Sequence, residues 1–172
     1  MSPVDPFRDL AAGAIAPFAG VGYREDVPAK EAPSGWTLGV VRLPNGDIVV
    51  ADYKGHRLWR IDVEGILHTF AGDGVPGDTG DGGPAGEARV YGPHDLALDS
   101  QGNLYFSDLW NHTYRRIDFH TGIITRIAGS GRVGRGGEGG PALEAVTTSI
   151  PAPELNEAAG LSTGSAHVSG AT

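Results

Sequence analysis

A repeat of 56 to 57 residues runs through the middle of this chain and limits the folds that are open to it. The segment Gly-Asp-Ile-Val-Val-Ala-Asp ends at Asp52, and the related segment Gly-Asn-Leu-Tyr-Phe-Ser-Asp ends at Asp108. The same offset relates His56 to His112, and the stretch Gly-Asp-Gly-Gly-Pro-Ala returns 57 residues later as Gly-Glu-Gly-Gly-Pro-Ala. A repeat of this size is a supersecondary unit that must pack against neighbouring copies to bury its faces.

Each repeat predicts four β-strands. Pro-Asn-Gly at 44–46 and Ser-Gln-Gly at 100–102 are hairpin signals, because Asn and Gly adopt positive φ readily. The apolar run at 48–51 predicts a strand that is buried on both faces. The predicted strands are 39–43, 47–51, 57–61 and 66–71 in the first unit, and 95–98, 103–107, 113–117 and 123–128 in the second. A four-stranded unit covered on both faces is a blade of a β-propeller.

The composition agrees with an all-β fold. The 172 residues include 28 Gly and 12 Pro, yet 40% are hydrophobic. Many turn residues together with many β-formers favour short strands, and they argue against a helical bundle or a parallel α/β fold. The chain has no cysteine, which excludes disulfides, thiol catalysis and thiolate metal sites.

The charge argues against a nucleic-acid partner. A formal net charge of −8 repels a phosphate backbone. Arginines on the predicted third and fourth strands could form a basic patch, but no aromatic residues alternate with them. We therefore expect these arginines to lie at solvated blade edges. They are Arg57, Arg60, Arg115, Arg116 and Arg126.

The sequence shows no membrane segment. No apolar run approaches the roughly 18 residues that a membrane-spanning helix needs. Asp5, Arg8 and Asp9 lie where a signal peptide would have an apolar stretch. We expect a soluble chain and leave its compartment open.

The second unit resembles the NHL repeat of β-propellers. The resemblance lies in Gly-Asn-Leu-Tyr-Phe-Ser-Asp, followed by Asn-His, Arg-Ile-Asp and Ile-Ala-Gly. The glycine-rich insertion is similar to that of the bacterial branch of this family. The resemblance extends over about 36–146, and it implies a six-bladed ring around a central channel.

The repeat divides the chain into four parts. We expect an N-terminal segment at 1–35 with one outer strand at about 13–20, blade 1 at 36–92, blade 2 at 93–146, and a disordered or irregular tail at 147–172. Six units would need about 340 residues, so two blades form only part of a ring. The remaining blades would come from a longer chain or from self-association. The alternative is a truncated, non-functional product.

One end of the blades is the predicted working face. An antiparallel meander places the connections after its second and fourth strands on the same face, and the long connections of this chain lie there. Candidate ligand-binding residues on this face are Asp52, His56, His94, Asp108, Trp110, Asn111 and His112. The repeated Asp and His also fit a structural role, in which each Asp caps its turn. We predict a binding or scaffolding module for a protein or a small molecule.

A metal site is the alternative. Asp78 and Asp81 lie among glycines, which suits calcium but is also ordinary turn chemistry. The Pro-His start of the strand at His94 resembles that of the peptidyl-hydroxyglycine lyases, propellers in which histidines hold zinc. The resemblance implies that His94 is a channel metal ligand in a lyase or hydrolase. Zinc catalysis needs about three protein ligands, and the first repeat has Leu38 in place of His94. We therefore expect no cofactor and leave calcium or zinc as alternatives.

Overall fold

The computed structural model describes residues 26–32, 35–147, 153–156, 160–163 and 166–167. Its strands are β1 (Val27–Pro28), β2 (Thr37–Arg42), β3 (Ile48–Asp52), β4 (Arg57–Ile61), β5 (Ile66–Ala71), β6 (Pro93–Leu98), β7 (Leu104–Asp108), β8 (Thr113–Ile117), β9 (Ile124–Ala128), β10 (Pro153–Asn156), β11 (Gly160–Thr163) and β12 (Ala166–His167). Short 3-10 helices span Ala29–Glu31, Ala85–Glu87, Leu109–Asn111 and Ala142–Glu144. Across the described residues, no helix has the length and apolar character needed to cross a membrane.

Two antiparallel four-stranded sheets form the two predicted blades. In blade 1 the strand order is β5-β4-β3-β2, and in blade 2 it is β6-β7-β8-β9. The sheets also share a register, since Thr37 pairs with Asp52 in blade 1 and Pro93 pairs with Asp108 in blade 2. The all-β propeller prediction is confirmed, and each strand of the two blades starts and ends within two residues of its predicted bounds.

Strand β3 is buried on both faces, as its apolar run predicts. Val49 and Ala51 point into a core between the two blades, where they meet Phe106 of blade 2. Val50 points the other way, into a second core around Trp59. Alternate side chains of a strand point to opposite faces, so burial of successive residues requires a packed layer on each side.

The loop between the blades also belongs to blade 2. After β5 the chain crosses to β9, where the amide of Gly82 donates to the carbonyl of Ile124 over 2.8 Å, and the amide of Ile124 donates to Gly83 over 3.0 Å. The loop then returns through Ala85, which is buried in the core between the blades. The loop therefore covers the outer edge of the second blade and fastens it to the first.

Residues 26–32 cover blade 1 in the same way. Strand β1 pairs antiparallel with β5, and the amide of Ala29 donates to the carbonyl of Gly65 over 2.8 Å. An outer strand is therefore present, but it is Val27–Pro28. The predicted span 13–20 lies outside the described residues.

Three short strands lie within 147–172, the segment for which we expect a disordered or irregular tail. Strands β10, β11 and β12 pair antiparallel in that order. Strand β10 contacts β6, and so does β2 of blade 1. These strands differ from our expectation. The repeat pattern stops near residue 146, so the sequence offers no signal for them.

Candidate functional site

The two repeated aspartates are buried and hold the connections of the working face. The Asp52 carboxylate accepts hydrogen bonds from the amide of Gly55 at 2.8 Å and from the indole of Trp59 at 3.1 Å. The Asp108 carboxylate accepts from the amide of Tyr91 at 2.7 Å and from the side chain of Asn111 at 2.8 Å. Both aspartates therefore use their oxygens within the protein, in the manner expected of turn-capping residues.

The repeated histidines end these connections with left-handed backbone, at φ 51° for His56 and 52° for His112. Nδ1 of His56 accepts a hydrogen bond from the amide of Gly92 over 3.3 Å, which requires a neutral ring. Burial lowers the pKa of His56, with Asp52 acting in the opposite direction and Lys54 in the same direction as burial. His56 thus links blade 1 to the end of the inter-blade loop.

Two candidate residues, His94 and Trp110, meet in a cluster of aromatic rings. Tyr53 lies at the centre of this cluster. Its ring centroid is 6.2 Å from that of His94 in an edge-on arrangement, and 6.4 Å from that of Trp110. Trp36 stacks on Tyr53 at 6.3 Å, and Tyr91 lies 6.2 Å from Trp110. We call these five residues the aromatic patch.

The aromatic patch is exposed but ordered. Trp36 is 64% exposed and Trp110 is 53% exposed, while Tyr53 is half-buried. The Trp110 indole donates a 2.6 Å hydrogen bond to the Tyr53 hydroxyl, which joins blade 2 to blade 1. Large rings held in fixed positions and open to water are typical of surfaces that bind a ligand or a partner.

Trp110 and Tyr53 can lie close to Gly92 because glycine has no side chain. Its φ is +70°, and a β-carbon at this position would lie 2.5 Å from Cδ1 of Trp110 and 3.1 Å from Cε2 of Tyr53. Only glycine accepts both this backbone conformation and so close a neighbour without strain.

A cation already lies against the patch. The ammonium nitrogen of Lys54 is 5.2 Å from the ring centroid of Trp36 and 5.5 Å from that of Tyr53. Both distances lie within the range of about 6 Å in which ring faces attract cations.

The prediction that all five arginines lie at solvated blade edges is wrong for one of them. Arg115 is fully buried, not solvated, and its guanidinium fastens the inter-blade loop. It donates to the carbonyls of Arg89 at 2.7 Å and Thr79 at 3.1 Å, and to the Asp81 carboxylate at 3.0 Å. Arg57, Arg60, Arg116 and Arg126 are partly exposed.

The acidic residues proposed as calcium ligands are paired with arginines. Asp81 binds Arg115, and Asp78 accepts a hydrogen bond from Arg126. His94, the candidate zinc ligand, contacts the Asp95 carboxylate through Nδ1 at 2.8 Å. In the described part of the chain, no group of three or more His, Asp or Glu side chains could hold a metal ion.

Asp108 is a buried titratable group with a large shift of its pKa. Burial raises the pKa of Asp108 from 3.8 to about 6, although hydrogen bonds from Asn111 and Tyr91 and the charge of Arg115 oppose the shift. The Arg115 guanidinium lies 3.5 Å from this carboxylate, and both side chains are fully buried.

The aromatic patch contains two of the seven candidate binding residues and adds three that the sequence reasoning missed. A third candidate, His56, packs edge-on against Tyr91 of the patch, with ring centroids 5.2 Å apart. The sequence analysis missed Trp36, Tyr53 and Tyr91. It looked for residues that are the same in both repeats, whereas these positions hold different residues in the two repeats. Trp36 of blade 1 occupies the position equivalent to Gly92 of blade 2. The carbonyl of Trp36 accepts a hydrogen bond from the amide of Tyr53 at 2.9 Å, and the carbonyl of Gly92 accepts the equivalent bond from the amide of Leu109 at 3.3 Å. The sequence did contain a signal for these three residues, because they are aromatic and lie next to strand ends on the predicted working face.

The fold, the shared register and the repeat define a segment of a β-propeller. The family model of the NHL repeat matches residues 38–61. The chain is similar to "NHL repeat-containing protein 2" of Gallus gallus, with 34% identity over 105 residues that cover 60% of this chain and 14% of that protein. An NHL repeat therefore lies within blade 1, and the chain spans about a seventh of that relative's length.

Solved structures agree on the fold. A structural genomics protein of unknown function from Bacteroides thetaiotaomicron superposes with a TM-score of 0.56 and 20% identity, over 66% of this chain and 28% of that one. An auxiliary nutrient binding protein from the same organism gives 0.51 and 20%, over 69% and 32%. The six-bladed ring and the bacterial character of the glycine-rich loop stay predictions.

Proposed function

We propose that this chain is a binding module whose ligand, a protein or a small molecule, contacts the aromatic patch. The observation that carries the proposal is the exposure of Trp36 and Trp110 in fixed positions on the face of the long loops. Tryptophan and tyrosine supply most of the binding energy in many interfaces, because they bury a large area for few rotatable bonds.

The order of the patch supports the same proposal. The hydrogen bond between Trp110 and Tyr53 fixes both rings before a ligand arrives. The edges of both rings occupy the space that a β-carbon at Gly92 would take. Preorganised side chains lose little conformational freedom on binding, so more of the contact energy contributes to affinity.

We further propose that another blade covers the free face of β2. Leu38 and Val40 are exposed on this face. Their equivalents in blade 2 are His94 and Leu96, which lie against Gly39 of blade 1. By the repeat, Leu38 and Val40 face the position of a preceding blade, which a longer chain or a second copy would supply.

Selection from a phage-displayed peptide library tests the binding proposal. The full 172-residue chain is the bait, and the selected peptides are then titrated against the double variant W36A/W110A. The control is His120→Ala, an exposed residue in the turn at the opposite end of the blades. We expect binding to survive in the control and to fall at least about tenfold in the double variant. Equal binding to the double variant would refute the proposal.

A further inference from the structure

Lys54 shows which kind of group the aromatic patch accepts. Its ammonium lies over the faces of Trp36 and Tyr53, although its side chain is exposed and could extend into water. The negative faces of aromatic rings attract a cation, and this attraction is strongest for Trp and then Tyr. The two rings therefore form a surface on which a positive charge is stabilised.

The charge of the chain favours the same class of ligand. Its formal net charge is −8, and only two of its residues are lysines, Lys30 and Lys54. The Asp95 carboxylate lies beside the patch, bound to His94. A cationic partner would be drawn to this surface, and an anionic one repelled.

The spacing of the rings suits an extended chain. Trp36 and Tyr53 are 6.3 Å apart, and Tyr53 and Trp110 are 6.4 Å apart. Alternate side chains of an extended peptide are about 6.6 Å apart, so two of them could contact successive rings. The patch is also open rather than enclosed, since both tryptophans are more than half exposed. A small cation gains most from rings that surround it, whereas a peptide can lie along an open surface.

We infer that the aromatic patch binds an extended basic segment of a partner protein, and that an arginine or lysine of this segment replaces Lys54 over Trp36 and Tyr53. This inference rests on the proposed function. Arginine is the better ligand of the two, because its planar guanidinium stacks on a ring and is less strongly hydrated than an ammonium. Lys54 then acts as a built-in competitor, which only a cation of suitable shape displaces.

A pair of peptides tests the charge. The probes are acetyl-Gly-Arg-Gly-Arg-Gly-amide and the same peptide with citrulline, a neutral analogue of arginine, in place of both arginines. Each is titrated into the full chain by calorimetry at about 0.15 M salt, where long-range attraction is largely screened. We expect the arginine peptide to bind at least about fivefold more tightly. Equal affinities would overturn the inference.

Two lysine variants test the competition. Removing the competitor in Lys54→Met should tighten binding of the arginine peptide about twofold to fivefold. Lys30→Met makes the same change in net charge at an exposed position in the Ala29–Glu31 helix, and it should change affinity much less. If Lys54→Met weakens binding, Lys54 contacts the ligand directly and the inference is wrong.

Trp36→Ala separates this inference from the proposed function. It should weaken the arginine peptide about threefold to tenfold, with the fold checked by circular dichroism. If library-selected peptides need the patch but are neutral or acidic, the binding proposal stands and the inference fails. If no peptide responds to W36A/W110A, both fail.

Discussion

At the scale of single residues, Gly92 controls whether the aromatic patch can form. We predict that Gly92→Ala lowers the free energy of unfolding by about 2–4 kcal/mol, because it adds a clash with Trp110 to the cost of left-handed backbone. Gly82→Ala is the matched control, since Gly82 has φ +84° but nothing within 4 Å of an added β-carbon. It should cost about 1–2 kcal/mol. Urea denaturation of both variants, with tryptophan fluorescence as the signal, measures the difference. Equal losses would show that Trp110 moves aside freely.

Asp108 gives the stability a pH dependence of unusual sign. Its pKa is about 6 in the folded chain and 3.8 without that environment, so the folded state binds the proton more tightly. Stability from this group is therefore fully present below pH 3.8 and is lost as the pH rises through 6. The loss is at most about 3 kcal/mol.

The variant Asp108→Asn isolates this effect. Asparagine keeps the size of the side chain but cannot ionise, so the stability of the wild-type chain relative to the variant should fall between pH 4 and pH 7. The lowered pKa of His56 makes the folded chain less stable in acid, which is the opposite trend. Because His56 is present in both the wild-type chain and the variant, its contribution cancels in the difference between their stabilities. Urea denaturation at several pH values measures the difference. A difference that does not change with pH contradicts the prediction.

At the scale of elements, the inter-blade loop depends on one buried arginine. We predict that Arg115→Met destabilises the chain by about 3–5 kcal/mol, because it leaves the buried Asp108 carboxylate without its cation and frees two carbonyls of the loop. The next residue supplies the control. Arg116 is partly exposed and pairs with Asp118 at 2.9 Å, so Arg116→Met should cost about 1 kcal/mol or less.

Thermal and urea unfolding of the two arginine variants decide this prediction. The double variant D108N/R115M should recover part of the loss, because it removes the unpaired charge as well. Similar losses for Arg115→Met and Arg116→Met would mean that the loop does not depend on the buried pair.

The elements also show how far the sequence alone could lead. The strands were predictable because turn signals and apolar runs are local, and β3 shows this best. The burial of Arg115 was not predictable, because it depends on carbonyls and a carboxylate of the loop 26 to 36 residues away in the chain. Strand β1 was not identified from the sequence, although Pro-Ala-Lys-Glu-Ala at 28–32 matches Pro-Ala-Gly-Glu-Ala at 84–88. That match would have identified residues 26–32 as the end of an inter-blade loop.

The candidate site was less predictable than the fold. Repeated residues such as Asp52 and Asp108 maintain the repeat, and the structure buries them. The aromatic patch instead combines rings from blade 1, the inter-blade loop and blade 2 at unrepeated positions. Its members become neighbours only when the two blades pack, and that packing is not visible in either repeat alone.

At the scale of the whole molecule, the exposed face of β2 leads to a prediction about the mass of the chain in solution. Val40 is 64% exposed there, next to exposed Leu38, on a strand whose counterpart in blade 2 is covered by blade 1. We predict that the isolated 172-residue chain self-associates through this face, because an exposed apolar strand at the edge of a sheet is prone to pair with another copy. Light scattering should give a mass well above the 17.8 kDa of one chain.

Two charge substitutions locate that association. Val40→Glu places a charge on the β2 face and should return the mass to that of one chain. Val133→Glu makes the same change on the loop that follows β9, at a residue that is 69% exposed, and should leave the mass as it is. If both variants dissociate, the association is non-specific. If the wild-type chain is a monomer at every concentration, a second copy does not cover β2, and the prediction is wrong.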